Sequence, residues 1–301
     1  MTHVAVLGPG GVGGLVAATL DRADTPVTVV AREPTAQVIE RDGIDVESVR
    51  LGEFIARPRA VAALTGPVDV LVIATKATAL EAGLERVCGP APALVVPLLN
   101  GVDHVARLRE RFGAAVVAGT IRVQSDRRAP GEIVQTSPFL RVDLATDDPA
   151  PRERMEAFAH LLRAAEIPTR LGASEAEVLW SKLVRLNALA CTTTAYDAPL
   201  GAIRDRPDWR ADLVGAVEEA ATVARAEGAP ADAGATIEEL WGLPPESGSS
   251  MQRDVAAGLE PELDAIAGAV LRGGTRHGIP CPAVEGLVAR IRARMAASAP
   301  R

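Results

Sequence analysis

The stretch HVAVLGPGGVGGLVAATLDRA, His3 to Ala23, reads as a short apolar strand (Val4 to Leu7), a glycine-rich turn, and an Ala/Leu-rich helix. Gly8, Gly10 and Gly13 fill the positions of a G-x-G-x-x-G motif. The first glycine permits the tight turn, the second lets backbone approach a pyrophosphate, and the third lets the helix pack closely on the strand. The helix N-terminus then offers an anion its N–H groups and a positive dipole end. In a chain with 27 glycines the motif alone is weak evidence. Its position strengthens it, because a second strand, Pro26 to Val30, follows after a helix of suitable length. This is the start of a dinucleotide-binding fold.

The end of the second strand bears on cofactor choice. NAD enzymes place a carboxylate there against the ribose hydroxyls, whereas NADP enzymes place arginine against the 2′-phosphate. The sequence is VVAREP, so Arg32 comes first, and a guanidinium suits bidentate phosphate binding. Glu33 offers the rival carboxylate if the strand ends one residue later. The order of the two residues favours NADPH.

Two further apolar runs, VDVLVIATKA (Val68 to Ala77) and ALVVPLLNGVD (Ala93 to Asp103), look like parallel strands covered on both faces. They end in Lys76 and in Asn100-Gly101. Ligands of open α/β sheets bind outside the carboxyl ends of the strands, so Lys76 and Asn100 fall where a bound cofactor and substrate would meet and both are candidate cofactor-binding residues. Each is equally what an ordinary strand-end turn would carry. Segments AAVVAGTIRVQS, EIVQTS and FLRVDLAT then read as β structure, PRERMEAFAHLLRAAE as an amphipathic helix, and IPTRL as a last strand.

From Ser174 onward strand signals nearly vanish. Ser174-x-x-Glu177 is a capping-box signature, and it opens a helix through Lys182 to about Leu189. Helical periodicity recurs at Leu213 to Gly228, Thr236 to Leu240, Glu262 to Arg276 and Ala283 to Met295, with WGLPPESGSSM a loop entering another helix. The expected fold is α/β: a Rossmann-type doubly wound sheet over residues 1–172, then an all-α domain over 173–301.

Of 32 cationic side chains only Lys76 and Lys182 are lysine. Reducing a carbonyl builds negative charge on oxygen, which then needs a proton. Guanidinium stays protonated, whereas an amine can give its proton up. Lys182 is therefore the candidate general acid, weighed against the ordinary alternative of a surface lysine.

The totals set outer bounds. A length of 301 residues allows two domains, and 48% hydrophobic with 24% charged residues is a globular composition. A net charge of −7 and no basic run interleaved with aromatics argue against nucleic acid or an anionic membrane as partner. Cys88, Cys191 and Cys281 are too few and scattered for a disulfide framework or a CxxC metal site. His3, His104, His160 and His277 lack metal-like spacing, so no metal is expected. With no signal-peptide pattern and no apolar run of spanning length, a cytoplasmic location is expected.

Taken together, VLGPGGVG, Arg32, TKA at Lys76, LLNG at Asn100, LWSKL at Lys182, SSMQRD at Ser250 to Asp254, ELD at Glu262 and RHGIPCP resemble the ketopantoate reductase (2-dehydropantoate 2-reductase) family over essentially the whole chain. The resemblance implies NADPH-dependent reduction of a 2-keto acid to a 2-hydroxy acid, ketopantoate to pantoate in pantothenate biosynthesis, by a homodimer. It matches Lys182 to the family's general acid. It matches Asn100, Ser250 and Glu262 to substrate or active-site polar groups, and Arg32 and Lys76 to the cofactor side. Pro261 suits the first turn of a helix, where the dipole would favour a carboxylate at Glu262.

One departure stands out. Where the family commonly carries asparagine four and eight residues after the lysine, this chain has Leu186 and Ala190. Asn187 lies about 140° around a helix from Lys182, off its face unless a π-bulge intervenes. Either Thr192, Thr193 and Thr194 supply hydroxyls instead, or the pocket is more apolar. Two alternatives stay open: a related reductase acting on a β-hydroxy acid or an imine, and a non-catalytic NADP-sensing protein.

Overall fold

The computed structural model describes residues 1–298, so the last three residues of the region read as helical lie outside the described residues. The chain falls into two compact units. One comprises Met1–Leu99 with His104–Val178, the other Asn100–Asp103 with the chain from Leu179 onward.

In the first unit β1 (Val4–Leu7) leads through α1 (Gly11–Arg22) to β2 (Val27–Val30) and α2 (Glu33–Asp42). A hairpin of β3 (Ile44–Ser48) and β4 (Gly52–Ala56) follows, then β5 (Arg59–Val61), β6 (Val70–Ile73), the short α3 (Leu80–Leu84) and β7 (Leu94–Pro97). Five of these strands form a parallel sheet in the order β5-β2-β1-β6-β7. Every residue of β1, β2, β6 and β7 is buried, which is why these runs are uninterruptedly apolar. Strand order reverses at β1, with β2 on one side and β6 on the other. Such a reversal opens a crevice at the carboxyl ends of the strands.

The remainder of this unit is α4 (His104–Phe112), β8 (Ala118–Arg122), β9 (Ser125–Ala129), β10 (Glu132–Gln135), β11 (Arg141–Ala145), α5 (Arg152–Ala164) and β12 (Thr169–Leu171). The stretch AAVVAGTIRVQS is not one strand. It divides at Val123-Gln124, where the Gln124 amide donates to Ser137 Oγ at 2.9 Å instead of continuing a ladder. Its first part, β8, joins β11 and β12 in a three-stranded sheet. Its second part, β9, turns through Pro130-Gly131 into β10, and β10 also pairs with β3 to complete a sheet ordered β4-β3-β10-β9. Asp143 on β11 is fully buried and is neutralised by two half-exposed arginines, Arg141 at 3.0 Å and Arg170 at 2.8 Å.

The helix α6 (Glu175–Tyr196) begins in the first unit and from Leu179 belongs to the second. Ser174 Oγ accepts the Glu177 amide at 3.1 Å, as a capping serine should. The Glu177 carboxylate reaches back to the amide of Ala173, one residue beyond the usual box position. The helix continues about two turns past Leu189. Thr192 and Thr193 do not break it because their hydroxyls donate to the carbonyls of Ala188 and Leu189, both at 2.7 Å.

Behind α6 come α7 (Leu200–Asp205), α8 (Pro207–Ala226), α9 (Ala233–Trp241) and α10 (Ser250–Ala256). A π-helical turn, Asp264–Gly268, runs directly into α11 (Ala269–His277), and α12 (Pro282–Ser298) closes the unit. Among the described residues no strand occurs after Leu171, and no helix is long and apolar enough to cross a membrane. The start of α12 is held by a carboxylate from α8: Glu219 accepts the amides of Ala283 at 2.8 Å and Val284 at 2.9 Å. These are two of the amides that a helix N-terminus leaves without intrahelical partners. Glu219→Ala should therefore cost about 1–2 kcal/mol of stability, as for loss of a helix cap, and Glu219→Gln, which keeps an acceptor, should cost less. Urea unfolding of the three proteins checks this; equal stability of Glu219→Ala and the parent would contradict it.

Candidate functional site

In the first unit the glycine turn meets its steric requirements in detail. Gly8 has φ +89°, a conformation that disfavours any residue with a Cβ, and a Cβ there would also lie 2.8 Å from Thr75 Cγ2. A Cβ on Gly13 would overlap the Gly8 carbonyl oxygen and stand 3.0 Å from Ala74 Cβ. Gly10 differs: a Cβ there would meet nothing within 4 Å, so the space beside it is open. Gly10 is also the N-cap of α1 and makes no side-chain capping bond. The turn thus presents bare backbone at a helix N-terminus, which fits an incoming phosphate.

Arg32 and Lys76 stand at the same end of the sheet. Arg32 is exposed and sits at the N-cap of α2, immediately after β2, while Glu33 is the first residue of that helix and accepts from Gln37 Nε2 at 2.8 Å. Lys76 is exposed in the turn that follows β6. Thr75, between β6 and Lys76, is a residue that sequence reasoning passes over. Its methyl packs on the Gly8 position, and among the described residues its buried Oγ1 has no hydrogen-bond partner. The T-K pair that closes the strand is the available signal.

In the second unit Lys182, Asn100 and Glu262 form one hydrogen-bonded chain. Lys182 Nζ donates to Asn100 Oδ1 at 2.9 Å, and Asn100 Nδ2 donates to Glu262 Oε2 at 2.8 Å. Lys182 is 9% exposed and Glu262 7%. An ammonium can only donate and a carboxylate can only accept, so the two neighbours fix which way the Asn100 amide faces. Each member is placed by its own local structure. Lys182 is on α6. Asn100 precedes Gly101, whose φ of +89° turns the chain; a Cβ at Gly101 would run into the carbonyl oxygen of Ala265. The Glu262 carbonyl accepts the Ile266 amide at 3.0 Å, so this residue stands at the entry to the π-helical turn.

The structure also places the neighbours of this chain. Ser250 is exposed as the first residue of α10, whereas Ser249 beside it is buried. Ser249 caps the helix by accepting the Gln252 amide at 3.0 Å, and its hydroxyl pairs with Thr193 Oγ1 at 2.9 Å. The S-x-x-Q spacing of Ser249 and Gln252 is a capping-box pattern that distinguishes it from Ser250. α6 is regular α-helix throughout, so Asn187 stays off the Lys182 face. It is fully buried, its Oδ1 lies 3.5 Å from Cys191 Sγ, and its Nδ2 has no partner among the described residues. At helical spacing the Lys182 face continues through Leu186 and Leu189 to Thr193. Burial pushes the Cys191 thiol up to about 12 and the Cys281 thiol up to about 11, so both remain protonated at neutral pH. Among the described residues no group of three or more His, Cys, Asp or Glu is arranged to hold a metal ion.

The chain matches known proteins along nearly all its length. A family model described as "Ketopantoate reductase PanE/ApbA" covers residues 4–145, and one described as "Ketopantoate reductase PanE/ApbA C terminal" covers 176–295. A 2-dehydropantoate 2-reductase of Caulobacter vibrioides is 32% identical, spanning 97% of this chain and 99% of that one. A 2-dehydropantoate 2-reductase of Mycobacterium tuberculosis is 33% identical, spanning 95% and 96%. The crystal structure of a PanE/ApbA family ketopantoate reductase from Ralstonia eutropha superposes with a TM-score of 0.88 at 25% identity, over 98% of this chain and 99% of the other. The chain belongs to the ketopantoate reductase family of oxidoreductases.

Proposed function

We propose that this chain, acting as a homodimer, reduces the keto group of a 2-keto acid with NADPH, 2-dehydropantoate being the substrate that its relatives' names suggest, and that Lys182 is the general acid. The observation that carries this reading is the buried Lys182 ammonium with its Asn100 acceptor, itself oriented by Glu262. In this reading Gly8, Gly10 and Gly13 hold the pyrophosphate, Arg32 the 2′-phosphate, and Lys76 lies on the cofactor side. Bound NADPH supplies the hydride.

The protein's own part is to move one proton. As the carbonyl oxygen becomes an alkoxide, Lys182 Nζ gives it a hydrogen, and the Asn100 carbonyl keeps the amine directed by accepting another of its N–H bonds. The Glu262 carboxylate holds Asn100 in the orientation that presents its oxygen, rather than its NH₂, to the lysine. Ser250, exposed at the start of α10, is a candidate for substrate contact in this reading. Preorganised donors of this kind do not have to reorient during the reaction.

A second reading concerns only the substrate. Leu186 and Leu189 extend the lysine's face of α6 without polar groups, which favours a 2-keto acid with an apolar side chain. NADPH oxidation measured against a panel of hydroxylated and apolar 2-keto acids, with NADH as the control, decides between the two. Turnover of ketopantoate above the others is the expected outcome. Higher kcat/KM for the apolar acids supports the second reading, whereas turnover of β-keto acids or cyclic imines alone, or tight NADPH binding without any turnover, overturns both.

Two substitutions test the roles. Lys182→Arg keeps the positive charge but removes the transferable proton, so kcat should fall by roughly 10²–10⁴ with NADPH affinity near that of the parent. Unchanged kcat would remove Lys182 from the mechanism. Arg32→Ala should weaken NADPH more than NADH, measured by fluorescence titration, and equal weakening of both would overturn the assignment of Arg32 to the 2′-phosphate.

A further inference from the structure

Arg272, on α11, makes four donor contacts to two separate segments of the second unit. Its Nε and Nη2 reach Asp103 Oδ2 at 3.2 and 2.7 Å. Its Nη1 reaches Asp264 Oδ1 at 2.8 Å, and Nη2 also reaches the Asp264 carbonyl at 3.0 Å. Asp103 ends the four-residue segment that begins with Asn100, and Asp264 is two residues beyond Glu262. One guanidinium therefore ties together the two segments whose side chains meet in the Asn100–Glu262 hydrogen bond.

Two further features belong to this clamp. Gly268 lies midway between Asp264 and Arg272 along the helix; a Cβ there would stand 2.6 Å from Asp264 Oδ1 and 2.9 Å from Arg272 Nη1. A side chain at this position would push one or both of these side-chain ends out of their present places. Gly101, next to Asn100, packs against the carbonyl of Ala265 in that same turn. The segments are thus in backbone contact at one point and pinned by Arg272 at another.

Folding stability is a small part of what this arrangement provides. The side chains of Arg272 and Asp103 are each more than two-fifths exposed and that of Asp264 more than four-fifths, and ion pairs at such sites contribute little to folding. What the fork of a guanidinium provides is geometry, through several donors held in one plane. We propose that Arg272 is a positioning residue for the reduction: it sets the separation of the Asn100 segment from the Glu262 segment, and through Asn100 the placement of the Lys182 proton. The inference rests on Lys182 acting as the proton donor.

Small displacements of a reacting group cost up to about a hundredfold in rate. In Arg272→Ala, kcat should fall about 10- to 100-fold while the KM for NADPH changes less than about twofold. Arg272→Lys, which supplies one point charge in place of the fork, should recover only part of the loss. The decisive measurement is a double-mutant cycle. In an Asn100→Ala background, with the object of the positioning gone, Arg272→Ala should lower kcat by less than about threefold further. The same fold-loss with and without Asn100, or parental kcat in Arg272→Ala, overturns the proposal. Should Arg272→Ala not fold, as judged by circular dichroism, Arg272→Lys and Asp103→Asn carry the same cycle. Lys182→Arg, assayed in parallel, separates the two claims. Full activity there defeats the proton-donor reading, whereas a kcat loss there combined with additive Arg272 and Asn100 effects defeats the clamp alone.

Discussion

The second unit is organised around one side-chain amide. Asn100 accepts from a cation with its oxygen and donates to an anion with its nitrogen, and neither neighbour can exchange roles. That constraint joins three places far apart in the chain, a strand end, a long helix and a helix entry. Burial makes the arrangement exacting, since a buried charge whose partner is lost or turned away is strongly destabilising. The left-handed turn at Gly101, the regularity of α6 and the placement of Glu262 just ahead of the π-helical turn all serve the same short chain of contacts.

Much of the first unit is legible in the sequence because its strands obey a single rule. Four of the five strands of the parallel sheet are buried on both faces, and their unbroken Val, Leu and Ile runs, the glycine turn and the strand-end residues all stand out from the residues alone. The hairpin of β3 and β4 and the edge strand β5 do not. They include exposed positions and carry charges such as Asp45, Glu47 and Arg59, and β5 has no buried residue at all, so they lack the apolar contrast that marks a central strand. Breaks between sheets are likewise invisible to hydrophobicity. Nothing in TIRVQS says that the ladder partner changes at Gln124, because that change is set by a hydroxyl, Ser137, thirteen residues on.

The site is partly legible, and the reason differs by residue. Lys182 stands out through scarcity, Asn100 by ending a strand, and Glu262 by following a proline. The pairing of Lys182 with Asn100 and of Asn100 with Glu262 spans 82 and 162 residues, and no local pattern encodes such distances. Ser249 and Ser250 are adjacent and chemically identical, and the S-x-x-Q spacing to Gln252 is the one sequence signal that marks Ser249 as the capping, buried hydroxyl. Asn187 shows the reverse case. The helical wheel puts it off the lysine face, and the uninterrupted α6 keeps it there.

Not every glycine of the first turn belongs to the proposed nucleotide site. Gly11 and Gly14 are not among the motif's three glycines, yet a Cβ on Gly11 would overlap the Ser125 carbonyl oxygen, and one on Gly14 would lie 2.6 Å from Ile133 Cδ1. Both neighbours belong to the β9–β10 hairpin, so α1 is pressed from behind by a sheet that takes no part in the proposed nucleotide site. Some of this glycine run answers to architecture and some, in the proposed function, to ligand. A mutational scan scored on catalysis alone would merge the two classes and draw the binding footprint too large. Scoring the same scan for soluble yield would sort the folding lesions from the recognition lesions, residue by residue, between Gly8 and Gly14.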